Sequence, residues 1–143
     1  MWYLKKFDSL TTQELFKIYK ARVDVFVVEQ NCPYPEVDDA DLLALHLFNE
    51  ENGIIKAYCR IIPEDKYVKI GRVLVNKESR KEGLGKQLIT KALGICSEQF
   101  PNQSVFAQAQ AYLKPFYASF GFKAISNEYL EDNIPHIDML LEN

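Results

Sequence analysis

Two glycines at the start of a helix, a few residues after an apolar strand, constrain this chain more than any other feature of its sequence. The strand Val73-Leu74-Val75 leads through a polar loop into Arg80-Lys81-Glu82-Gly83-Leu84-Gly85-Lys86. Glycine costs a helix interior about 1 kcal/mol relative to alanine, so helix propensity does not explain the pair. The pattern predicts a strand, a turn and a helix whose first N–H groups are open to a ligand.

Backbone N–H groups at a helix N-terminus bind anions, and the helix macrodipole together with Arg80, Lys81 and Lys86 favours negative charge there. The segment lacks the Gly-Lys-Ser/Thr ending of a Walker loop and the third glycine of a dinucleotide-binding fingerprint. We therefore expect a phosphate or pyrophosphate at this helix start. The same residues also fit an ordinary helix start that tolerates Gly83 and Gly85.

The composition of the chain is that of a small globular protein. It has 143 residues, 48% of them hydrophobic and 26% charged, so we expect a single domain spanning residues 1–143. With 17 Lys and Arg against 20 Asp and Glu, the net charge is -3, and no surface for nucleic acid or an anionic membrane is indicated. The absence of a signal peptide and of an apolar run of about 20 residues predicts a cytoplasmic protein. The sequence leaves the oligomeric state open between a monomer and a homodimer.

The three cysteines, Cys32, Cys59 and Cys96, are widely spaced and form no Cys-x-x-Cys pair. An odd number at these spacings favours neither a disulfide framework nor a zinc site. We expect buried thiols and no metal.

Local patterns along the chain predict an α/β (α+β) protein built on a central mixed sheet. Thr11 and Glu14 fit a helix capping box, Asn52-Gly53 fits a hairpin turn, and the proline-containing acidic segment 31–41 predicts a loop. The predicted helix 80–96 connects the predicted strands 67–75 and 104–108, which implies one parallel crossover. The predicted strands are 2–7, 43–48, 54–62, 67–75, 104–108, 122–126 and 136–141, and the predicted helices are 11–27, 80–96 and 112–120.

Several motifs together resemble one protein family. The segment Arg80-x-x-Gly83-x-Gly85 after an apolar strand, with Phe116-Tyr117-Ala118-Ser119-Phe120-Gly121-Phe122 downstream, resembles the GNAT superfamily of N-acetyltransferases. The order of elements agrees over nearly the whole chain. Shorter segments are similar to the ElaA-like subgroup of that superfamily: Val25–Gln30, Cys32–Tyr34, Asp38, Asp41, His46, Ala107–Gln110 and Glu131–His136.

The resemblance implies acetyl-CoA as a co-substrate and a GNAT-like sheet, mixed and mostly antiparallel, with helices on both faces. Acetyl-CoA would lie where two parallel central strands, Tyr67–Val75 and Ser104–Gln108, splay apart. Its pyrophosphate would bind the backbone amides of Arg80–Lys86, and its pantetheine arm would pair with Val73, Leu74 and Val75 like an added strand. A bulge near Leu74 would direct an N–H group at the thioester oxygen.

The resemblance also assigns individual side chains. Tyr117 matches the family tyrosine that faces the coenzyme sulfur, which makes it the expected general acid, although its spacing alone favours a place in an aromatic core. Seven residues earlier many members carry an asparagine that binds pantetheine, whereas this chain has Gln110. Gln110 and the nearby Gln108 are therefore the expected amide contacts to the coenzyme.

The general base is left open among four residues. Many family members have an acid on the strand before the glycine segment, but this chain has Lys69-Ile70-Gly71-Arg72 there. Catalytic roles are expected for Glu36 and His46, with Glu131 and His136 as further candidates. The acidic loop also fits a solvated loop or an attractive surface for a cationic amine, and His46 also fits a structural strand histidine. Asn133 is expected to take a left-handed conformation in a turn.

These residues favour an acetyl-CoA-dependent N-acetyltransferase that modifies a primary amine of a small molecule, peptide or protein. One alternative is a non-catalytic acyl-CoA-binding module that keeps the segment Arg80–Lys86, called the glycine loop below, but has no productive acceptor pocket. Another is transfer of a longer acyl group, because the segment Val25–Gln30 is distantly similar to acyl-homoserine-lactone synthases, a comparison by analogy only.

Overall fold

The computed structural model describes all residues from Met1 to Asn143, and its centre is one mixed sheet of eight strands. The strands are β1 (Trp2–Lys6), β2 (Leu45–Glu51), β3 (Ile54–Pro63), β4 (Tyr67–Val75), β5 (Ser104–Gln110), β6 (Lys123–Ala124), β7 (Tyr129–Glu131) and β8 (Ile134–Leu141). Their order is β1-β2-β3-β4-β5-β8-β6, and β7 pairs with β8. All pairs are antiparallel except the central β4 and β5, which are parallel, as the predicted crossover requires.

Helices cover both faces of the sheet. Neighbouring strand residues point to opposite faces, and the two faces bury separate apolar clusters. On one face the long helix buries Leu88 and Ile89, and on the other the first helix packs Ile18 against Phe48 and Tyr58. None of the helices combines the length and apolar character needed to cross a membrane. The α- and π-helices are α1 (Thr12–Arg22), a π-helix (Val23–Glu29), α2 (Ala40–Leu43), α3 (Leu84–Gln99) and α4 (Lys114–Ala118), and three short 3-10 helices cover Phe7–Ser9, Lys77–Ser79 and Ala111–Leu113.

The first helix begins as predicted and ends differently. The Thr11 hydroxyl accepts from the Glu14 N–H and the Glu14 carboxylate accepts from the Thr11 N–H, which is the expected capping box. The predicted extension to residue 27 is not α-helical, because a π-helix replaces it from Val23 onward. Apolar spacing does not distinguish the two helix types, whereas crowded β-branched valines weaken the α-helix here.

The helix predicted from Arg80 begins four residues later, at Leu84. Lys81 and Gly83 have φ angles of 74° and 78°, in the left-handed region, which a right-handed helix cannot contain. Arg80–Gly83 is therefore a turn before the helix. The helix predicted over 112–120 is shortened similarly, because only Lys114–Ala118 is α-helical, and Gly121 ends the segment with a φ of 98°.

Strand β7 was missed by the sequence analysis because it has only three residues. It forms a hairpin with β8 through the turn at Asp132 and Asn133, whose φ angles are 50° and 64°. The expected left-handed conformation of Asn133 is thus present, and the hairpin carries this turn beside the central strands.

The parallel strands β4 and β5 pair only at one end. Their register covers Tyr67–Lys69 against Ser104–Phe106, and beyond these residues the strands separate. On its other side β4 carries a bulge, since Tyr58 pairs with Leu74 but Arg60 pairs with Gly71, which leaves one extra residue in β4. The extra residue falls at Arg72, with a φ of 50°, close to the position expected near Leu74.

Candidate active site

A cleft of about 390 Å³ lies where β4 and β5 separate. This volume is within the range of small-molecule sites. Residues 69–73 of β4 and 108–110 of β5 line it from the strands. The π-helix, the loop that follows it and the β7–β8 turn line it from the opposite side, so residues distant in sequence meet there.

The glycine loop follows β4 and lies outside the lining of this cleft. None of the backbone N–H groups of Arg80–Gly83 donates a hydrogen bond to another protein group. Gly83 is needed for its backbone conformation, since an added Cβ would meet nothing within 4 Å. The sequence predicts open donors in the first helical turn, and in the structure they also lie in the turn before the helix, where they can bind an anion.

Arg80 is held at the end of β4. Its Nη1 and Nη2 atoms donate to the Glu29 carboxylate over 2.6 and 2.9 Å, and its Nε donates to the Val75 carbonyl over 3.1 Å. The hydrogen bond from Arg80 lowers the pKa of the Glu29 carboxyl. Arg80 therefore joins the π-helix to the glycine loop, a contact that the sequence analysis did not anticipate.

Tyr117 lies on α4 with its ring buried and also lines the cleft. Its ring makes edge contacts with Phe116 and Phe122, and its hydroxyl makes no hydrogen bond to another protein group. Burial raises the pKa of the Tyr117 phenol, which keeps it protonated at neutral pH. The ring is thus part of the aromatic core while the hydroxyl is free to donate at the cleft.

The two predicted glutamines also line the cleft from β5. Gln108 accepts a hydrogen bond from Lys69 Nζ over 2.6 Å and donates to the Tyr129 hydroxyl over 3.4 Å. Gln110 lies opposite His136 in the β5–β8 register. Lys69 was not assigned a role by the sequence analysis, because nothing in the strand pattern distinguishes a lysine in a cleft from a solvated one.

His46, an expected catalytic residue, does not line the cleft. Its side chain is completely buried on β2, with Nδ1 at 2.7 Å from the Tyr58 hydroxyl and Nε2 at 2.9 Å from the Asp41 carbonyl oxygen. Burial lowers the pKa of this imidazole. Because both ring nitrogens have partners, the geometry supports the structural alternative for His46.

Glu36, the other expected catalytic residue, is likewise buried, with 4% of its surface exposed. Its carboxylate accepts from Arg22, Arg72 and the Tyr34 hydroxyl. The interpretation of the acidic segment as a solvated loop is therefore wrong for Glu36 and for Asp41, which is 1% exposed. The Glu36 carboxylate is thus committed to its arginine and tyrosine partners, and Glu36 does not line the cleft.

Three carboxylates of the acidic segment, two in the loop and Asp41 in α2, alternate with three arginines in a closed ring of ion pairs, with N–O distances from 2.5 to 3.4 Å. The arginines come from α1, β3 and β4, so the ring fastens the loop to the sheet beside the cleft. In order around the ring its members are Arg22, Glu36, Arg72, Asp38, Arg60 and Asp41. Sequence could show three acids close together but not which distant arginines meet them.

His136 and Glu131, the remaining base candidates, both line the cleft. Nδ1 of His136 lies 2.7 Å from the Ile134 carbonyl oxygen, and Nε2 lies 3.9 Å from a Glu131 carboxylate oxygen. A carbonyl oxygen only accepts, so Nδ1 carries the proton of the neutral ring and Nε2 has a free lone pair. Of the four candidates, only Glu131 and His136 are brought to the cleft by the fold.

Comparison with known proteins identifies a matching family model and similar sequences. The family model described as an acetyltransferase (GNAT) domain matches residues 18–143. The chain is 48% identical over 141 residues to the UPF0039 protein C11D3.02c of Schizosaccharomyces pombe, a match that covers 96% of this chain and 94% of that protein.

Solved structures agree with this match. The crystal structure of ElaA from Escherichia coli has a TM-score of 0.96 at 40% identity, and that of an acyl-CoA N-acyltransferase from Pseudomonas aeruginosa has a TM-score of 0.94 at 40% identity. Each match covers 99% of both chains. The similarity therefore includes the whole sheet and the elements around the cleft.

Proposed function

Because the chain belongs to the GNAT acetyltransferase family, as its motifs predicted, we propose that it transfers an acetyl group from acetyl-CoA to a primary amine of a small molecule, peptide or protein. The observation that carries this proposal is the opening between β4 and β5, whose pairing ends at Lys69 and Phe106. An extended thioester arm fits between two such separated strands. We expect the enzyme to act in the cytoplasm as one domain, either as a monomer or as a homodimer.

The coenzyme would bind along β4 and the glycine loop. The free edge of β4 at Val73, Leu74 and Val75 offers backbone partners to the pantetheine amides. The unpartnered N–H groups of Arg80–Gly83, continued by Leu84, Gly85 and Lys86 at the start of α3, support pyrophosphate binding in the same direction. Gln108 and Gln110 offer side-chain amides from β5.

The bulge of β4 supplies the electrostatic part of the reaction. The amine nitrogen attacks the thioester carbon, so a C–N bond forms and negative charge develops on the carbonyl oxygen. The extra residue at Arg72 leaves β4 with a peptide that β3 does not match. The N–H group of this unmatched peptide in β4 is available to stabilise the oxyanion beside the cleft.

Two side chains would move the protons. His136 Nε2 accepts the proton that the attacking amine must lose, and this assignment takes the place of the expected bases Glu36 and His46. When the C–S bond breaks, Tyr117 donates its phenolic proton to the departing thiolate. The tyrosinate regains a proton from solvent at the cleft, and His136 releases its proton there.

Release of free thiol tests the proposal. Wild-type protein is mixed with acetyl-CoA and a panel of primary amines, and free CoA and the acetylated product are both quantified. We expect equal amounts of the two. Coenzyme binding without thiol release for every amine would instead support the non-catalytic module, and faster turnover with longer acyl-CoA substrates would support the longer-chain alternative.

A further inference from the structure

Lys69 is the cation of the cleft that has no anionic partner. Its side chain is half-buried on β4, at the last residue pair before β4 and β5 separate. Its Nζ atom donates one hydrogen bond, to Gln108, and forms no salt bridge. Arg60 and Arg72, the other cleft cations, are both committed to carboxylates of the ion-pair ring.

The neighbours of Lys69 fix the direction of its free donors. Gln108 turns its carbonyl oxygen toward Lys69 and its NH₂ group toward the Tyr129 hydroxyl, which donates to Asp138 over 2.5 Å. This chain of hydrogen bonds runs from an ammonium on β4 to a carboxylate on β8. It satisfies one of the three Lys69 protons and leaves two for a ligand in the cleft.

Burial lowers the pKa of Lys69, and the opposing charges of Glu64 and Glu131, neither of which forms a salt bridge with it, do not cancel this effect. A buried cation without a counter-ion is costly unless a ligand supplies the negative charge. Two acids outside the ion-pair ring also line the cleft, Glu131 and Asp132, so a dianion such as a phosphate ester would be repelled more strongly than a monoanion. The charges favour a ligand with a single negative charge.

Resting on the acyl transfer proposed above, we propose that Lys69 binds a carboxylate of the acceptor, so that the preferred substrates are amines that also carry a carboxylate group. The acceptor carboxylate takes the two free donors of Lys69, and the amine extends along the cleft toward Tyr117 and His136. Lys69 is in this assignment a specificity-determining residue and takes no part in proton transfer.

Matched pairs of acceptors test the assignment. Amino acids with a terminal amine, such as γ-aminobutyrate and its longer homologues, are compared with alkylamines of the same chain length. In the wild type we expect kcat/KM for the carboxylate-bearing member of the best pair to be at least about 10-fold higher, the scale of one charge-assisted hydrogen bond. In Lys69→Met this preference should disappear, and Lys69→Arg should restore part of it.

Lys66→Met provides a matched control, because it removes the charge of an exposed lysine three residues away. It should keep the preference for carboxylate, and all variants should bind acetyl-CoA like the wild type. Equal rates for both members of each pair in the wild type, or a preference that survives Lys69→Met, would overturn the assignment.

Failure of acyl transfer itself is recognised separately. If no amine is acetylated, the proposed function fails, and calorimetric titration of the same acceptor pairs then decides the role of Lys69. Tighter binding of the carboxylate-bearing amines that is lost in Lys69→Met supports the site. Equal binding of both members rejects it.

Discussion

Arg80 and Glu29 form a two-point ion pair, with N–O distances of 2.6 and 2.9 Å, that connects the glycine loop to the π-helix. The pair is partly exposed, and Arg80 is also fixed to the Val75 carbonyl. The π-helix contributes Phe26 to the lining of the cleft. One ion pair thus links the candidate pyrophosphate site with the wall of the acceptor cleft.

Removal of the Glu29 charge should strengthen coenzyme binding. In Glu29→Gln the Arg80 guanidinium is no longer neutralised, so an anion at the loop gains about 0.5 to 1 kcal/mol, or two- to five-fold in Kd. Calorimetric titration with acetyl-CoA at low and high salt measures this effect, which salt should reduce. Weaker binding by Glu29→Gln would show instead that the pair is needed to orient Arg80.

Alanine substitutions at Gly83 and at Gly94 should change the free energy of unfolding in opposite directions. Gly83 has a φ of 78°, so Gly83→Ala should lower the free energy of unfolding by about 1 to 2 kcal/mol and weaken coenzyme binding. Gly94 lies inside α3 with nothing within 4 Å of an added Cβ, so Gly94→Ala should raise the free energy of unfolding by about 0.5 to 1 kcal/mol. Urea unfolding measures both changes, and a stabilised Gly83→Ala would contradict the left-handed turn.

Loss of the Tyr117 hydroxyl should slow the chemical step. Tyr117→Phe keeps the buried ring, so we expect kcat to fall about 100-fold while the Kd for acetyl-CoA stays the same. Because burial raises the pKa of this phenol, wild-type kcat should show no loss at pH values near 10, where an exposed tyrosine ionises. Full turnover by Tyr117→Phe would remove this residue from the mechanism.

We expect His136 to act as the general base and His46 to have a structural role only. His136→Gln should lower kcat about 100-fold with little change in unfolding, because its Nε2 faces the cleft. His46→Gln should instead lower the free energy of unfolding by about 1 to 3 kcal/mol, since both of its ring nitrogens are bonded in the core. Turnover is normalised to the folded fraction of each variant, and the opposite result would return His46 to the mechanism.

The ion-pair ring should make stability depend on pH in the acid range. Burial alone would raise the pKa of the Asp41 carboxyl, but hydrogen bonds and charge from Arg22 and Arg60 outweigh burial and lower it. A lowered pKa stabilises the folded state above the pKa of the unfolded carboxyl, and this contribution is lost as pH falls through the folded pKa.

Asp41→Asn tests this dependence. The variant leaves Arg22 with one anionic partner fewer, so its free energy of unfolding at neutral pH should be about 3 to 5 kcal/mol lower. It should also lose less stability than the wild type between neutral pH and pH 3. Parallel urea titrations at several pH values measure both slopes, and equal slopes would show that Asp41 does not titrate with folding.

Local features of this protein could be predicted from its sequence because they depend on neighbouring residues. The capping box at Thr11, the bounds of β4 at Tyr67 and Val75, and the turn at Asn133 each follow from side chains a few positions apart. The family motifs around Gly83 and Tyr117 predicted the overall fold. The order of helices and strands in the structure agrees with that of the matched solved structures.

Only the tertiary structure decided what the charged residues do. The sequence indicated that residues 31–41 are acidic, but the pairing of Glu36 and Asp41 with arginines from three other elements depends on contacts between distant positions. The same holds for His46, which is enclosed in the core, and for Lys69, which lines the cleft without forming a salt bridge. Local spacing determines helices, strands and turns, whereas burial and charge neutralisation are set by which elements the fold brings together.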